Sequence, residues 1–361
     1  MESVEIVAEG FWKGKRVFIT GHTGFKGGWL SMWLAQKGAE ITGYALEPPT
    51  HPSFFSACRL DGRLHSIIGD IRDLNQFQLA VNKAEPEILI HMAAQALVRL
   101  SYEDPLTTYT TNIIGTVNAL ETVRQCPSLK TVLIITSDKC YENREWYWGY
   151  RETDPMGGYD PYACSKGCAE LITASYRNSF FPSSGYPEHG VALASARAGN
   201  VIGGGDWAQD RLIPDIFKSA LAGNEVKIRY PSAVRPWQHV LDPLQGYLCL
   251  LEKLHSHGTD FAEGWNFGPA NTNCQPVYLI LNYLQKQLGN RINWSTDEKR
   301  HFHEAAYLKL DCSKANQRLN WNSKLDLPTA LEWTTDWYLA YERGDDVSLL
   351  TEKQIRQYER L

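Results

Sequence analysis

A glycine-rich turn between a short β-rich run and a helical stretch limits most strongly how this chain can fold. The run is Lys15 to Thr20 (KRVFIT), the turn is Thr20 to Gly27 (TGHTGFKG), and Gly28 to Lys37 has apolar residues at helical spacing. Glycine permits the tight turn and lets backbone N–H groups approach an anion at the helix N-terminus. The sequence of strand, turn and helix therefore predicts a site for the pyrophosphate of a dinucleotide.

Strand candidates alternate with helical stretches, such as 111–125, as far as residue 197. This alternation predicts an α/β protein of Rossmann type, with a doubly wound parallel sheet covered by helices on both faces. Beyond the glycine-rich loop 199–205 the alternation breaks down between prolines, which indicates a smaller C-terminal substrate domain. The further strand candidates are residues 40–46, 64–69, 87–91, 131–136 and 191–197.

Composition excludes several classes of protein. The 361 residues carry a net charge of -5, which gives no basic footprint for nucleic acid or an anionic membrane. Apolar runs such as Val277 to Leu281 fall far short of the roughly 20 residues that span a bilayer. The eight cysteines form no CxxC pair, so we expect reduced thiols and no metal site. With an acidic start at residues 1–5, these features predict a protein of the cytoplasm.

Tyr162 and Lys166 have the spacing that puts two side chains on one face of a helix. An ammonium beside a phenol favours the phenolate and lowers its pKa, as a general base at an alcohol requires. Ser137 follows a strand candidate and is expected to line the same cleft. These three residues predict proton transfer at a hydroxyl group beside the dinucleotide.

The adenosine half of the dinucleotide has two candidate partners. Glu47 lies one or two places beyond the position where an acidic residue usually contacts the ribose. Since no arginine follows it immediately to bind a 2′-phosphate, NAD is favoured over NADP. Asp70, at the end of the third strand, is placed to contact the adenine edge.

The glycine turn, Asp70-Ile71, the run 91–95 (HMAAQ), Asn112, Ser137, Tyr162 and Lys166 together resemble the extended short-chain dehydrogenase/reductase family. Residues 136–141 (TSDKCY), 197–207 (RAGNVIGGGDW) and 235–240 (RPWQHV) are similar to its nucleotide-sugar dehydratases that act on CDP-glucose. The resemblance implies bound NAD, held by Gly21, Thr23, Gly24, Phe25, Lys26, Gly27, Asp70, Ile71, Ala93, Ala94, Gln95, Asn112, Tyr162 and Lys166.

The resemblance also implies a hydro-lyase that turns CDP-glucose into CDP-4-keto-6-deoxyglucose, a step toward deoxysugars of the lipopolysaccharide O-antigen type. Tyr162 takes the proton of the 4-hydroxyl with help from Lys166 and Ser137. Asp138 and Lys139 are the candidate acid and base for loss of water across C5–C6. Most nucleotide-sugar dehydratases have Glu where this chain has Lys139, so the identity of the C5 base stays open.

Further implications concern substrate contacts, domains and assembly. Asn200 and Arg235 are expected at the phosphates, and Glu304 and Tyr307 at the nucleotide. The helical stretches 111–125 and 165–177 resemble the family's dimer helices, which implies a homodimer or homotetramer. The expected domains are an NAD-binding one of residues 1–198 and about 236–268, and a nucleotide-sugar-binding one of about 199–235 and 269–361.

Two other functions fit part of the pattern. An NAD-dependent nucleotide-sugar epimerase shares the glycine turn, Ser137, Tyr162 and Lys166, but it does not need the acid and base at Asp138 and Lys139. A non-catalytic NAD-binding regulator tolerates loss of Ser137, Tyr162 or Lys166, yet all three are present. The Asp138–Lys139 pair is therefore the feature that favours a dehydratase.

Overall fold

The computed structural model describes residues 10–297 and 307–361. The six strands predicted up to residue 197 are found to within one residue at each end. The strands are β1 (Arg16–Thr20), β2 (Glu40–Ala45), β3 (His65–Ile68), β4 (Ile88–His91), β5 (Thr131–Ile135), β6 (Ala192–Arg197), β7 (Val201–Ile202), β8 (Val226–Ile228), β9 (Val234–Pro236), β10 (Gln238–His239), β11 (Gly264–Asn266), β12 (Cys274–Pro276) and β13 (Trp294–Thr296).

The helix after the glycine turn begins at Phe25, three residues earlier than predicted, because the turn itself runs into the helix. A π-helical turn, Thr110–Ile114, joins the fifth and sixth helices. The helices are α1 (Phe25–Gln36), α2 (Phe54–Ala57), α3 (Leu74–Ala84), α4 (Val98–Glu103), α5 (Pro105–Tyr109), α6 (Gly115–Gln125), α7 (Pro161–Ser179), α8 (Tyr186–His189), α9 (Leu212–Ala222), α10 (Leu241–His257), α11 (Val277–Leu288), α12 (Ser313–Leu319), α13 (Leu327–Arg343) and α14 (Val347–Glu359).

Seven parallel strands form the central sheet in the order β11-β6-β5-β4-β1-β2-β3. The order reverses between β1 and β4, which is the switch point where open α/β sheets bind ligands. The predicted Rossmann-type fold class is thus confirmed. None of the described helices is long and apolar enough to cross a membrane.

Successive strand residues face opposite sides of the sheet, and each side carries its own apolar core. Helices α1 and α10 cover one face, and α3, α6 and α7 cover the other. The first core includes Ile19, Ile90, Leu133, Trp29 and Leu251, and the second includes Phe18, Leu89, Val132, Phe77 and Leu120.

The glycine-rich loop 203–205 packs between α1 and α13. The indole nitrogen of Trp29 donates to the Gly204 carbonyl at 2.9 Å. A Cβ on Gly204 would lie 2.0 Å from Trp337, so a side chain does not fit there. The chain after residue 200 also forms three two-stranded sheets, β10-β7, β12-β9 and β13-β8. The division of the chain into two domains stays a prediction.

A buried ion pair ties α7 to the carboxyl ends of β5 and β6. Arg197 donates to Glu170 at 2.8 Å, and both side chains are almost completely buried. Ser195 donates to the same carboxylate at 2.7 Å, and Thr136 donates to its other oxygen. Burial alone raises the pKa of Glu170, but Arg197 and these hydroxyls hold that pKa below its usual range. The carboxylate therefore stays ionised inside the protein.

We predict that Glu170→Ala lowers the free energy of unfolding by about 3–5 kcal/mol, since it leaves the Arg197 guanidinium buried without its partner. Asp345→Ala, which removes an exposed partner of Arg343, is the control and should cost less than about 1 kcal/mol. Urea unfolding measures both. Equal losses in the two variants would contradict a special role for the buried pair.

Candidate active site

A cavity of about 480 Å³ opens at the carboxyl ends of β5 and β6. This volume is in the range of small-molecule sites. Its wall contains four of the five predicted catalytic residues, and Lys166 lies one helical turn behind them. Polar and charged side chains in its wall include Lys26, Ser137, Asp138, Lys139, Tyr162, Asn200, Arg211 and Arg235.

The end of β5 presents three polar side chains in succession. Ser137 has extended backbone, and a single 3-10 turn, Asp138–Cys140, follows it. The Ser137 hydroxyl donates to Asp138 Oδ1 at 3.0 Å and accepts from the Lys139 N–H at 3.3 Å. The strand end thus fixes Ser137, Asp138 and Lys139 in one wall of the cavity.

Tyr162 lies in the first turn of α7, whose start is well defined. Asp160 caps the helix by accepting from the Ala163 N–H at 2.8 Å, and Pro161 occupies its first position. Ser165 donates to the Tyr162 carbonyl at 2.7 Å and accepts from the Asn112 amide at 2.8 Å. The first turn of α7, which carries Tyr162, is therefore held in place by contacts behind the cavity wall.

Burial raises the pKa of Tyr162 to about 12, so the expectation that Lys166 lowers this pKa toward neutrality is wrong for the protein alone. A hydrogen bond with Ser137 and the charge of Arg211 act in the lowering direction. Lys166 instead donates to the Ile135 carbonyl at 3.2 Å. Burial, followed by the charge of Lys26, lowers the pKa of Lys166 to about 8.

The environment of Asp138 favours its protonated form more than water does. Its side chain is buried, and this desolvation raises its pKa, although Lys139, Ser137, Lys26 and Arg235 act against the rise. The carboxyl group packs directly on Gly199, where a Cβ would lie 1.8 Å from Oδ2. A protonated Asp138 can serve as a general acid, as the sequence predicts.

Lys139 extends along the same wall toward Tyr162. Its ammonium nitrogen lies 6.0 Å from the centre of the Tyr162 ring, and the side chain is half-buried. A small ring bound in the cavity can therefore meet Tyr162, Asp138 and Lys139 together.

The glycine turn fits a dinucleotide. Gly21 has φ +79°, and a Cβ there would lie 2.9 Å from the Ala93 nitrogen, so the turn packs directly on the loop after β4. Because Gly24 caps α1 without a side chain, the N–H groups of the first turn remain for an anion. The Thr23 hydroxyl donates to the Leu46 carbonyl at 2.9 Å and fixes the turn to the end of β2.

Other residues that are predicted to bind the cofactor hydrogen-bond to one another or to their neighbours around this turn. Asp70 binds the Arg72 guanidinium through both oxygens, and this pairing lowers the pKa of Asp70, while Ile71 beside it is buried. Asn112 accepts from the Gln95 N–H at 2.8 Å and donates to its carbonyl at 2.9 Å. Asn112 thereby links the loop after β4, which contains Ala93, Ala94 and Gln95, to α7.

The predicted substrate residues divide into three groups. Asn200, with φ +34°, and Arg235 line the cavity. Tyr307 does not belong to the cavity wall, and its carbonyl accepts from Asn143 at 3.1 Å. Glu304 lies outside the described residues.

The sequence analysis missed Arg211, which lines the cavity near Tyr162. Arg211 pairs with Asp206 at 2.9 Å, just before α9 begins. Asp206 falls within the family-like run 197–207, but nothing in the sequence indicates that Arg211 lines the same cavity as Tyr162. Only the fold brings these groups together.

Comparison with known proteins adds independent information. The family model described as GDP-mannose 4,6 dehydratase matches residues 18–334. The CDP-glucose 4,6-dehydratase of Salmonella typhimurium (strain LT2) is 53% identical over 353 residues, which cover 98% of this chain and 98% of that protein.

Two solved structures have the same fold. An epimerase of Methanothermobacter thermautotrophicus has a TM-score of 0.79 and 20% identity, over 99% of both chains. The dTDP-glucose 4,6-dehydratase of Bacillus anthracis, solved in complex with NAD, has a TM-score of 0.74 and 20% identity, over 93% of this chain and 100% of that one.

Proposed function

The chain belongs to the GDP-mannose 4,6-dehydratase family, and we propose that it is the hydro-lyase that converts CDP-glucose to CDP-4-keto-6-deoxyglucose with NAD. The observation that carries the proposal is the buried, acid-like Asp138 beside Lys139 and Tyr162 in one cavity. The choice of CDP-glucose is supported by the 53% identity to an enzyme named for that substrate.

The glycine turn and the loop after β4 are the groups that hold the cofactor. Backbone N–H groups of Phe25 and Lys26 are placed for the pyrophosphate, and Asp70 and Ile71 stand at the end of β3 for the adenine. Bound NAD supplies the hydride acceptor for C4 of the sugar and the donor for C6.

Oxidation at C4 needs a base for the 4-hydroxyl proton, and Tyr162 takes that role. Ser137 hydrogen-bonds Tyr162, and both side chains line the cavity. Because burial raises the pKa of Tyr162, positive charge that enters the site favours formation of the phenolate. Bound NAD would supply such charge through its cationic nicotinamide, which would favour proton removal by Tyr162.

Loss of water follows from the new 4-ketone, which acidifies the hydrogen on C5. Lys139 accepts the C5 proton, and Asp138 gives its proton to the 6-hydroxyl. The C6–O6 bond breaks and water leaves. Asn200 and Arg235 hold the diphosphate that anchors the sugar.

The remaining substrate and domain assignments are also part of this proposal. Residues 1–198 and about 236–268 bind NAD, and about 199–235 and 269–361 bind the nucleotide sugar, with Glu304 and Tyr307 near the nucleotide. Since the eight cysteines form no disulfide, the protein works in a reducing compartment, which we take to be the cytoplasm.

We predict that CDP-glucose is consumed far faster than UDP-, dTDP- or GDP-glucose. The assay follows the 4-keto-6-deoxy product over this panel with added NAD. Equal rates across the panel would overturn the nucleotide assignment, and formation of a 4-epimer without loss of water would indicate the epimerase instead.

A second prediction separates the two halves of the reaction. Lys139→Met keeps much of the side-chain volume but removes the proton acceptor, which should slow elimination about 100- to 10,000-fold. On mixing with CDP-glucose, absorbance of the reduced cofactor should rise to a substoichiometric plateau with little product. Tyr162→Phe is the matched control, because it should stop the reaction before any reduced cofactor forms.

A different outcome would contradict the role of Lys139 as the C5 base. If this residue only holds phosphate or cofactor, the variant binds its ligands more weakly. It then forms product at a near-normal rate once saturated, without build-up of reduced cofactor.

A third prediction concerns the homodimer, with a homotetramer as the higher assembly. Helices α5 and α6 both pack on α7, and this group of helices exposes the large apolar residues Leu106, Ile114 and Leu171. Exposed apolar groups so placed indicate a helix-bundle interface between two copies. Sedimentation should show at least a dimer, and Ile114→Glu with Leu171→Glu should yield monomers. Leu349→Glu, at an equally exposed leucine on α14, should leave the assembly intact.

A further inference from the structure

Lys26 belongs to the glycine turn, yet its side chain lines the substrate cavity together with Ser137 and Asp138. Its ammonium forms no hydrogen bond or ion pair with any residue in 10–297 or 307–361. Burial lowers the pKa of Lys26 to about 8, which reflects how little water reaches the group. A cavity-lining ammonium without a fixed partner is available to respond to charge that appears during a reaction.

The charged groups around Lys26 come from three other parts of the fold. They are Asp138 after β5, Lys166 on α7, and the Asp206–Arg211 pair before α9. Arg211 and Lys166 repel the ammonium, and Asp138 and Asp206 attract it. Asp206 is already paired with Arg211 at 2.9 Å, so Asp138 is the acid whose charge is left to interact with Lys26.

We propose that Lys26 is a positioning residue of the dehydration, whose ammonium stabilises the carboxylate that Asp138 becomes on giving its proton to the departing 6-hydroxyl. This inference rests on the proposed function, in which Asp138 is the acid. In the elimination the C5 proton passes to Lys139, the C5–C6 double bond forms and the C6–O6 bond breaks. The negative charge that remains on Asp138 then lies in a buried site, where a nearby cation stabilises it strongly.

The effect on pH dependence has a definite sign. Asp138 acts in its protonated form, so elimination fails as the pH rises through the pKa of that group. Lys26, Lys139 and Arg235 all lower the pKa of Asp138. Removing the charge of Lys26 should therefore raise that pKa by about one unit, move the alkaline limb of elimination to higher pH, and make Asp138 a weaker acid.

The experiment compares Lys26→Met, Lys26→Arg and, as a control, Lys37→Met, which removes a partly exposed lysine that lies just after the end of α1 and pairs with Glu359. Infrared titration of the full-length protein, with and without NAD, follows the protonated carboxyl band that Asp138→Asn abolishes. In Lys26→Met the midpoint should move up by about one pH unit, whereas Lys26→Arg and Lys37→Met should stay near wild type.

Single-turnover kinetics give the second measurement. At pH values where Asp138 is fully protonated, decay of the reduced cofactor in Lys26→Met should slow about three- to tenfold, and Lys26→Arg should restore it. If Lys26→Met does not fold, Lys26→Gln replaces it. An unchanged infrared midpoint, with weaker NAD binding measured by quenching of tryptophan fluorescence, would overturn the proposal and assign the side chain to the cofactor.

The two proposals can fail separately. If wild-type protein makes no dehydrated product from any sugar in the panel, the proposed function fails whatever the infrared result. If it does make product and the midpoint in Lys26→Met is unchanged, only the role of Lys26 is lost.

Discussion

The ion pair between Glu170 and Arg197 holds α7 against the carboxyl ends of β5 and β6, where the candidate active-site cavity opens. Glu170 comes from α7, one turn beyond Lys166, and Arg197 ends β6 immediately before the loop with Gly199 and Asn200. Because α7 also carries Tyr162 and Lys166, this pair ties both residues to the ends of β5 and β6, beside Asp138. Buried charge is costly, and here it is compensated by an opposite charge and by two hydroxyl donors.

In and around the cavity, burial also shifts the pKa values of ionisable side chains that lack a complete set of partners. Desolvation favours neutral Asp138 and neutral Tyr162, and it lowers the pKa values of Lys26 and Lys166 to about 8. The pKa values of Asp138, Lys26 and Lys166 therefore lie closer to neutral pH than they would in water. The pKa of Tyr162 is shifted further from neutral pH, so deprotonation of this tyrosine depends on charge that arrives with the ligands.

The sequence predicts the order of strands and helices, and it predicts that Ser137, Asp138, Lys139 and Tyr162 lie together, because these features depend on local pattern and short motifs. Residues 131–136 and the Tyr162–Lys166 spacing are examples, since each is determined by a single element. The position of Arg211 near Tyr162, and the direction of the Lys26 side chain, depend on several elements that meet only in the fold. The prediction that Lys166 lowers the pKa of Tyr162 is wrong for the same reason. The four-residue spacing of these two side chains does not show how deeply the tyrosine is buried.

The arrangement also explains how one cavity can run two kinds of proton transfer in sequence. In the proposed reaction the base for oxidation comes from α7, and the acid and base for elimination come from the turn after β5, so the two steps use groups held by separate stretches of backbone. Asp138 is buried against Gly199 and burial raises its pKa, which in the proposed reaction favours the protonated acid during the oxidation. The proton becomes useful only when C5 has been acidified by the ketone. In the proposed order of steps, Asp138 therefore keeps its proton until oxidation at C4 has made the C5 hydrogen acidic enough for the 6-hydroxyl to leave as water.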